Sequence, residues 1–307
     1  MLTEALKSEK LTIVLFLLLL ALFVMEGETQ KVSGYAFLGL AAPLVLNLLF
    51  CVFHHIKRTK TWDMAQAGFI LFHVAFLIII AGGITTYLTY SIGYAEVVEG
   101  GSFTDSRESY AGWKQRFGTR SGTGINVAVR KIHLDFWENG QIREYFNNIV
   151  IRDGIKDQEA TVNVNGSVKY GSLLINLARY YGLAPHFRLT TPDATNSGYV
   201  YISSTAKTNN FAIPLVNYKA QVSYRDLTDR RVRIRVRLNE LDSIERVMRI
   251  GDSIDLGAGK LTLTDIKIWN GLTVVTDSGK WITYAGFSLF LLGLAIYYGT
   301  KFFWSGK

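Results

Sequence analysis

Residues Met64 to Tyr90 read MAQAGFILFHVAFLIIIAGGITTYLTY. The stretch contains no Asp, Glu, Lys or Arg, and its one group that titrates near neutrality is His73. Crossing a bilayer takes about 20 mostly apolar residues, and this run exceeds that length. In lipid its backbone amides and carbonyls can be satisfied only within a helix. Three more runs have the same character: Leu11 to Met25 (LTIVLFLLLLALFVM), Tyr35 to Phe53 (YAFLGLAAPLVLNLLFCVF) and Trp281 to Tyr298 (WITYAGFSLFLLGLAIYY). The sequence therefore predicts a membrane α+β protein with four transmembrane helices, three N-terminal (9–26, 35–54 and 64–90) and one within 281–307. The first run lacks an A-x-A-like exit and is followed by further spans, so it reads as a retained helix and not as a cleaved signal peptide.

Charge in the short connections sets the expected orientation. His54 to Asp63 carries Lys57, Arg58 and Lys60 against one acid, and the C-terminal tail carries Lys301 and Lys307 against none. Glu26 to Lys31 holds two acids and one Lys. The positive-inside rule then places the second connection and both termini in the cytoplasm of a bacterial-type inner membrane, with the large segment between helices 3 and 4 outside. Trp281 and Trp304 bracket the last span as interface anchors. A formal net charge of +8 would also suit a nucleic-acid binder. Topology already accounts for part of this excess, and the rest is spread over an outer domain, so nucleic acid is not an expected partner.

The intervening residues, 93–280, form the second domain, between membrane portions 1–92 and 281–307. Long apolar runs give way to short alternating ones, separated by Gly, Asn and Asp. Gly124–Phe136, Tyr145–Ile151, Ala160–Val164, Gly198–Ser203, Asn217–Tyr224, Val232–Leu238 and Lys260–Trp269 read as strands. Glu138-Asn139-Gly140, Asp153-Gly154 and Asn165-Gly166 read as hairpin turns. The spacing predicts an antiparallel, sandwich-like domain, with a turn or two of helix near Leu173–Arg179. The single cysteine, Cys51, lies inside a span. The outer domain thus has no disulfide, cysteine-based zinc set or Cys-x-x-Cys-His haem attachment site.

Few residues carry chemistry. His73 lies nine residues into its span, about 13 Å along a helix. An ionisable side chain at that depth is a functional candidate by default. Imidazole is a common axial haem ligand, and the alternative is a neutral His hydrogen-bonded within the helix bundle. Gly82 and Gly83 would let a flat cofactor or another helix approach closely. His54 and His55, with Lys57, Arg58 and Lys60, could supply a second ligand or meet haem propionates, or could simply line a basic interface. His133 and His186 have no ligand-spaced neighbours in sequence and read as structural. Arg231, Arg233, Arg235 and Arg237 alternate with Val232, Ile234, Val236 and Leu238, which puts the guanidinium groups on one strand face. That face is either solvated or docks an acidic partner, lipid head groups or propionates. No nucleophile elbow, phosphate loop, zinc-protease motif or dinucleotide fingerprint is present, so no catalytic residue is assigned.

Several strings together resemble the ResB (CcsB) family of System II cytochrome c biogenesis proteins. They are Ser8–Leu22 (SEKLTIVLFLLLLAL), Leu71–Tyr90, Val97–Phe103 (VVEGGSF), Asp135–Tyr145 (DFWENGQIREY), Val162–Tyr170 (VNVNGSVKY) and Asp277–Gly293 (DSGKWITYAGFSLFLLG). The chain departs from the family at Glu26–Gln30, where a Gly-Thr-x-Ile-Pro-Gln stretch is common. The resemblance implies that His73 is an axial ligand of haem b. It also implies a CcsA/ResC-like membrane partner and delivery of haem to apocytochrome c, with a thioredoxin-like reductant and membrane lipid as further partners. As a subunit of such a haem lyase the chain would not carry the catalytic core. The alternative is a non-catalytic anchor or assembly subunit of a respiratory or multihaem cytochrome complex.

Overall fold

A computed structural model describes residues 9–29, 34–59, 62–118, 122–139, 141–240 and 242–304. The expected turn residue Gly140, the loop cation Lys60, the tail residue Lys307 and the side chain of Trp304 fall outside the described set. The chain divides into two compact units.

The first unit holds four helices: α1 (Glu9–Thr29), α2 (Gly34–Arg58), α3 (Met64–Thr89) and α4 (Lys280–Trp304). Of these, α2, α3 and residues Lys280–Phe302 of α4 are long and apolar enough to cross a membrane. In α1 the side chains of Ile13, Phe16, Leu17, Leu20, Phe23 and Val24 are all exposed. Continuous exposed apolar surface of that kind marks a lipid or protein contact. Asn47, fully buried in α2, accepts a hydrogen bond from the Thr12 hydroxyl of α1. That pairing offsets the desolvation penalty of the amide oxygen among aliphatic neighbours. Asp63 caps α3 by accepting the Gln66 amide at 2.8 Å.

The α3–α4 pair is built on glycine. A Cβ placed on Gly68, Gly82, Gly286 or Gly293 would lie within 3.0 Å of backbone nitrogen on the opposite helix. Close backbone approach through small residues is how helices associate where lipid removes the hydrophobic driving force. Asp277 closes one end of the seam. Its Oδ1 accepts from the Gly279 and Lys280 amides at 3.0 and 3.1 Å, capping α4, and from the Thr86 hydroxyl of α3 at 2.8 Å.

Among the described residues the second unit is made of strands in three sheets, with one 3-10 turn, and the two four-stranded sheets are antiparallel. The central sheet is organised on two long strands, Leu173–Thr190 and Lys260–Thr276, with Ser91–Val98 and Gly112–Gln115 added beyond the second. One four-stranded sheet orders Ser102–Thr104, Asn126–Phe136, Ile142–Arg152 and Asp157–Asn163. The other orders Thr208–Ile213, Tyr218–Ser223, Val232–Arg237 and Ser243–Met248. Each flanking sheet packs on a different end of the long strands. Val129, Ile149 and Ile151 meet Leu173, Ile175, Leu272 and Val274 in one core. Val222, Ile234 and Met248 meet Leu183, Leu189, Leu261 and Leu263 in the other. The expected sandwich is therefore doubled, two cores sharing one central sheet.

Three expectations change. The strand read over Gly198–Ser203 is interrupted at residues 200–201, with Thr195–Tyr199 before the break and Ile202–Ser203 after it. Leu173–Arg179 is not helical but begins the longest strand. Leu173 and Ile175 alternate into the core and the segment pairs with Ser167–Tyr170, so tertiary pairing overrides local helix preference. The strand expected to stop at Trp269 continues to Thr276, with Asn270 fully buried and Gly271 giving room for the Tyr94 ring.

Candidate functional site

His73 lies on the face of α3 that also carries Gln66, Phe69 and Ile80, as the 3.6-residue repeat requires. Its Nδ1 is 2.8 Å from the Phe69 carbonyl oxygen. A carbonyl only accepts, so Nδ1 is the protonated nitrogen in this bond, and in the neutral imidazole the free lone pair is then on Nε2. The imidazole is also flanked by Phe69 and Phe72, with ring centroids 4.0 and 4.2 Å away. Tautomer and orientation are thus both set by residues within one turn. This is the arrangement that prepares an imidazole as a metal ligand, where the second nitrogen donates to a carbonyl.

The other face of the Phe69 region belongs to α2. The His55 ring packs on Phe69 at a centroid distance of 4.1 Å, and its Nε2 is buried with no hydrogen-bond partner. On α3 the side-chain oxygen of Gln66, one turn before Phe69, is likewise buried without a partner. A buried polar atom without a partner costs about 1–3 kcal/mol, and two on neighbouring turns mark a place where a polar group belongs. Of the two adjacent histidines, His55 and not His54 faces α3; His54 is exposed. Lys57 and Arg58 are exposed as well, with the Lys57 ammonium 4.4 Å over the Phe53 ring.

The two glycines part company. Gly82 is buried and opposes Thr283 of α4. Nine residues from His73, it lies half a helical turn around, on the opposite face. Gly83 is exposed, and a Cβ there would meet nothing within 4 Å. Gly82 therefore serves helix packing, while Gly83 leaves the backbone accessible.

The arginines of Val232–Arg237 stand as alternation requires, with Val232, Ile234 and Val236 fully buried and Arg233, Arg235 and Arg237 exposed. Much of their charge is met locally. Arg231 forms a two-point pair with Asp229 at 2.8 and 2.9 Å. Glu245 lies 3.5 Å from Arg233 and 2.9 Å from the Arg235 Nε. Arg237 stands opposite Lys219 and Ser243. His186 has its Nδ1 2.6 Å from the Thr264 hydroxyl and its ring against Tyr199, a satisfied structural position. Burial lowers its pKa. His133 has company that sequence spacing missed: Asp135 and, from the neighbouring strand, Glu144.

Residues 63–301 match the ResB-like family. The chain belongs to that family. A cytochrome c biogenesis protein CcsB of Thermosynechococcus vestitus is 23% identical over 242 residues, covering 76% of this chain and 53% of that protein. The CcsB of Synechococcus elongatus is 22% identical over 264 residues, 83% and 56% respectively. This ResB-like chain thus spans about half the length of the curated relatives it matches. The matched region contains α3 with His73, the whole β unit and most of α4.

Proposed function

We propose that this chain is a subunit of a membrane complex that handles haem for cytochrome c maturation, with His73 Nε2 as an axial ligand. The observation that carries the reading is the Nδ1–Phe69 hydrogen bond, which orients the ring and leaves Nε2 as the nitrogen available to a metal, nine residues inside an apolar helix. The chemistry fits haem: an imidazole nitrogen for iron, aromatic walls from Phe69 and Phe72, and an unpartnered His55 ring nitrogen that can donate to a propionate. Lys57 and Arg58, one turn further on, would add positive charge for the same groups, with His54 beside them. The exposed Gly83 backbone gives a flat ring system or a partner helix room to approach. The second axial ligand would come from the CcsA-type partner implied by the names of the relatives.

When bound, haem supplies vinyl groups that add cysteine thiols of the apocytochrome. The chain's own contribution is to hold the imidazole, exclude water and position. All four helices would span the membrane, since α1 presents lipid-compatible surface along its length. Both termini would then be cytoplasmic and the β unit extracytoplasmic, where it would brace the partner and the apocytochrome. Lys219 and Arg237, the basic pair facing each other across the sheet, are where an acidic partner group would meet the arginine face.

The test is a visible spectrum of the full chain, purified with its partner. His73→Ala should lose haem absorbance and cytochrome c yield, and added imidazole should restore part of both. Unchanged haem content in His73→Ala would refute the ligand role, and a complex without haem absorbance would favour the anchor-subunit alternative.

A further inference from the structure

We propose that His133, Asp135 and Glu144 form a divalent-metal site on the β unit, gated by Arg143. The three side chains come from two adjacent strands, Asn126–Phe136 and Ile142–Arg152. Asp135 is registered directly opposite Glu144, and His133 sits two residues back on the same face, opposite Phe146. One ligand atom from each residue lies within 4.8 Å of the others. First-shell ligands of a metal held at about 2.0–2.2 Å are separated by less than that, so modest side-chain rotations would converge them.

Three features favour a cation here over a chance meeting of surface groups. First, the imidazole is already placed. Its ring stacks on Phe146 at 4.5 Å with an interplanar angle of 16°, and Nε2 points at Glu144 Oε2, 3.4 Å away. Second, two carboxylates face each other across a ladder, an unfavourable pairing unless a cation lies between them. Third, the ladder slips at this point: Asp135 pairs with Glu144 but Phe136 pairs with Ile142, leaving Arg143 as an extra residue. A bulge re-aims side chains and recurs beside functional sites. Here it lets Arg143 and Glu144 reach the same place, and Arg143 forms an ion pair with Asp135.

Arg143 is therefore the resident counter-cation. In the same placement its guanidinium lies 5.5 Å over the Trp137 ring, so a metal ion that displaces it from Asp135 leaves it with that ring contact. One nitrogen and two carboxylate oxygens form a set for borderline first-row ions such as Zn2+ or Co2+, not for Ca2+. Coordination would be completed by water or by a ligand from outside. Glu144 lines an open groove of about 760 Å³ bounded by Ile142–Phe146, Asn163–Asn165, Leu177–Arg179 and Tyr181.

The experiment titrates Zn2+ into the detergent-solubilised full chain against a chromophoric chelator, with Co2+ absorption as a second readout and Ca2+ as the control. One equivalent of Zn2+ is expected, lost in Glu144→Gln and in His133→Gln and retained in His186→Gln. Arg143→Gln should bind about two- to fivefold more tightly, the range set by the strength of an exposed ion pair. That gain cannot arise from misfolding. Zn2+ binding that is absent in the wild type, or unchanged in both ligand variants, overturns the site. Weaker binding in Arg143→Gln overturns the gate.

Discussion

Gly82 and Gly83 are neighbours in sequence, and the same substitution at each should have opposite effects. A Cβ at Gly82 would sit 2.6 Å from the Thr283 backbone nitrogen and 3.0 Å from its Cα. Ordinary contact needs roughly 3.4 Å or more, and a backbone cannot rotate away as a side chain can. The α3–α4 seam must therefore open by up to about 1 Å, which belongs to the overpacking range of about 1–3 kcal/mol. At Gly83 the new methyl group meets nothing within 4 Å, and replacing a mid-helix Gly by Ala favours the helix by about 0.5–1 kcal/mol. Reversible chemical unfolding of the full chain in detergent, followed by far-UV circular dichroism, reads both. Gly82→Ala should unfold at lower denaturant and Gly83→Ala at the same or higher denaturant. Haem content of the partnered complex gives the second readout. Gly83→Leu should lower it with little effect on the chain's own stability, because only an external group would feel the added bulk. Equal stability of Gly82→Ala and wild type would refute the close-packed seam, and equal haem content in Gly83→Leu would remove Gly83 from the haem surface.

Three further outcomes follow from other positions. His55→Phe keeps a ring against Phe69 and removes the buried unpartnered nitrogen, so the chain should gain about 1 kcal/mol in the same unfolding assay while the partnered complex retains haem less well. Asp277→Ala removes the α4 cap and the Thr86 contact together and should cost about 1–2 kcal/mol, read as a lower unfolding midpoint with Asp277→Asn intermediate. Glu96 is half-buried in Ser91–Val98, and burial raises its pKa above the usual carboxylate value. The folded state therefore holds its proton more tightly than the unfolded one, and stability falls as pH rises from the unfolded value of about 4.3 through the raised folded value. Glu96→Gln should flatten that decline and be more stable than wild type at neutral pH, measured by thermal unfolding across the pH series.

The sequence made the helices legible because lipid imposes an extreme demand: an uncharged run of the length of Met64–Tyr90 has few other structures open to it. Hairpins around Asn126–Phe136 and Ile142–Arg152 were also legible, since alternation and turn residues agree. Where neighbours from distant sequence decide, reading failed. LLINLARYY has helical propensity, yet Leu173 and Ile175 are claimed by a core whose members run from Ala95 to Val274 in sequence. The same limit governs the sites. His73 stands out locally, as a lone ionisable group in an apolar run. The choice of His55 over His54 depends on which way α2 faces, and the meeting of His133 with Glu144 depends on a cross-strand register that no linear spacing encodes.

The shared central sheet has a consequence for how the chain is made. Ser91–Val98 pairs locally with Gly112–Gln115 on one side, but its other neighbour is Lys260–Thr276, so that side of the strand leaving the third helix waits for nearly the whole β segment to be synthesised. Contacts so distant in sequence form slowly and leave edges exposed meanwhile. The two flanking hairpin sheets can assemble early from local pairings, but neither can complete its core without those long strands. The last strand to arrive closes both cores at once and is followed after three residues by α4. Completion of the β unit and formation of the final helix are thus consecutive events in biogenesis, and a defect in either should leave the other exposed to proteolysis.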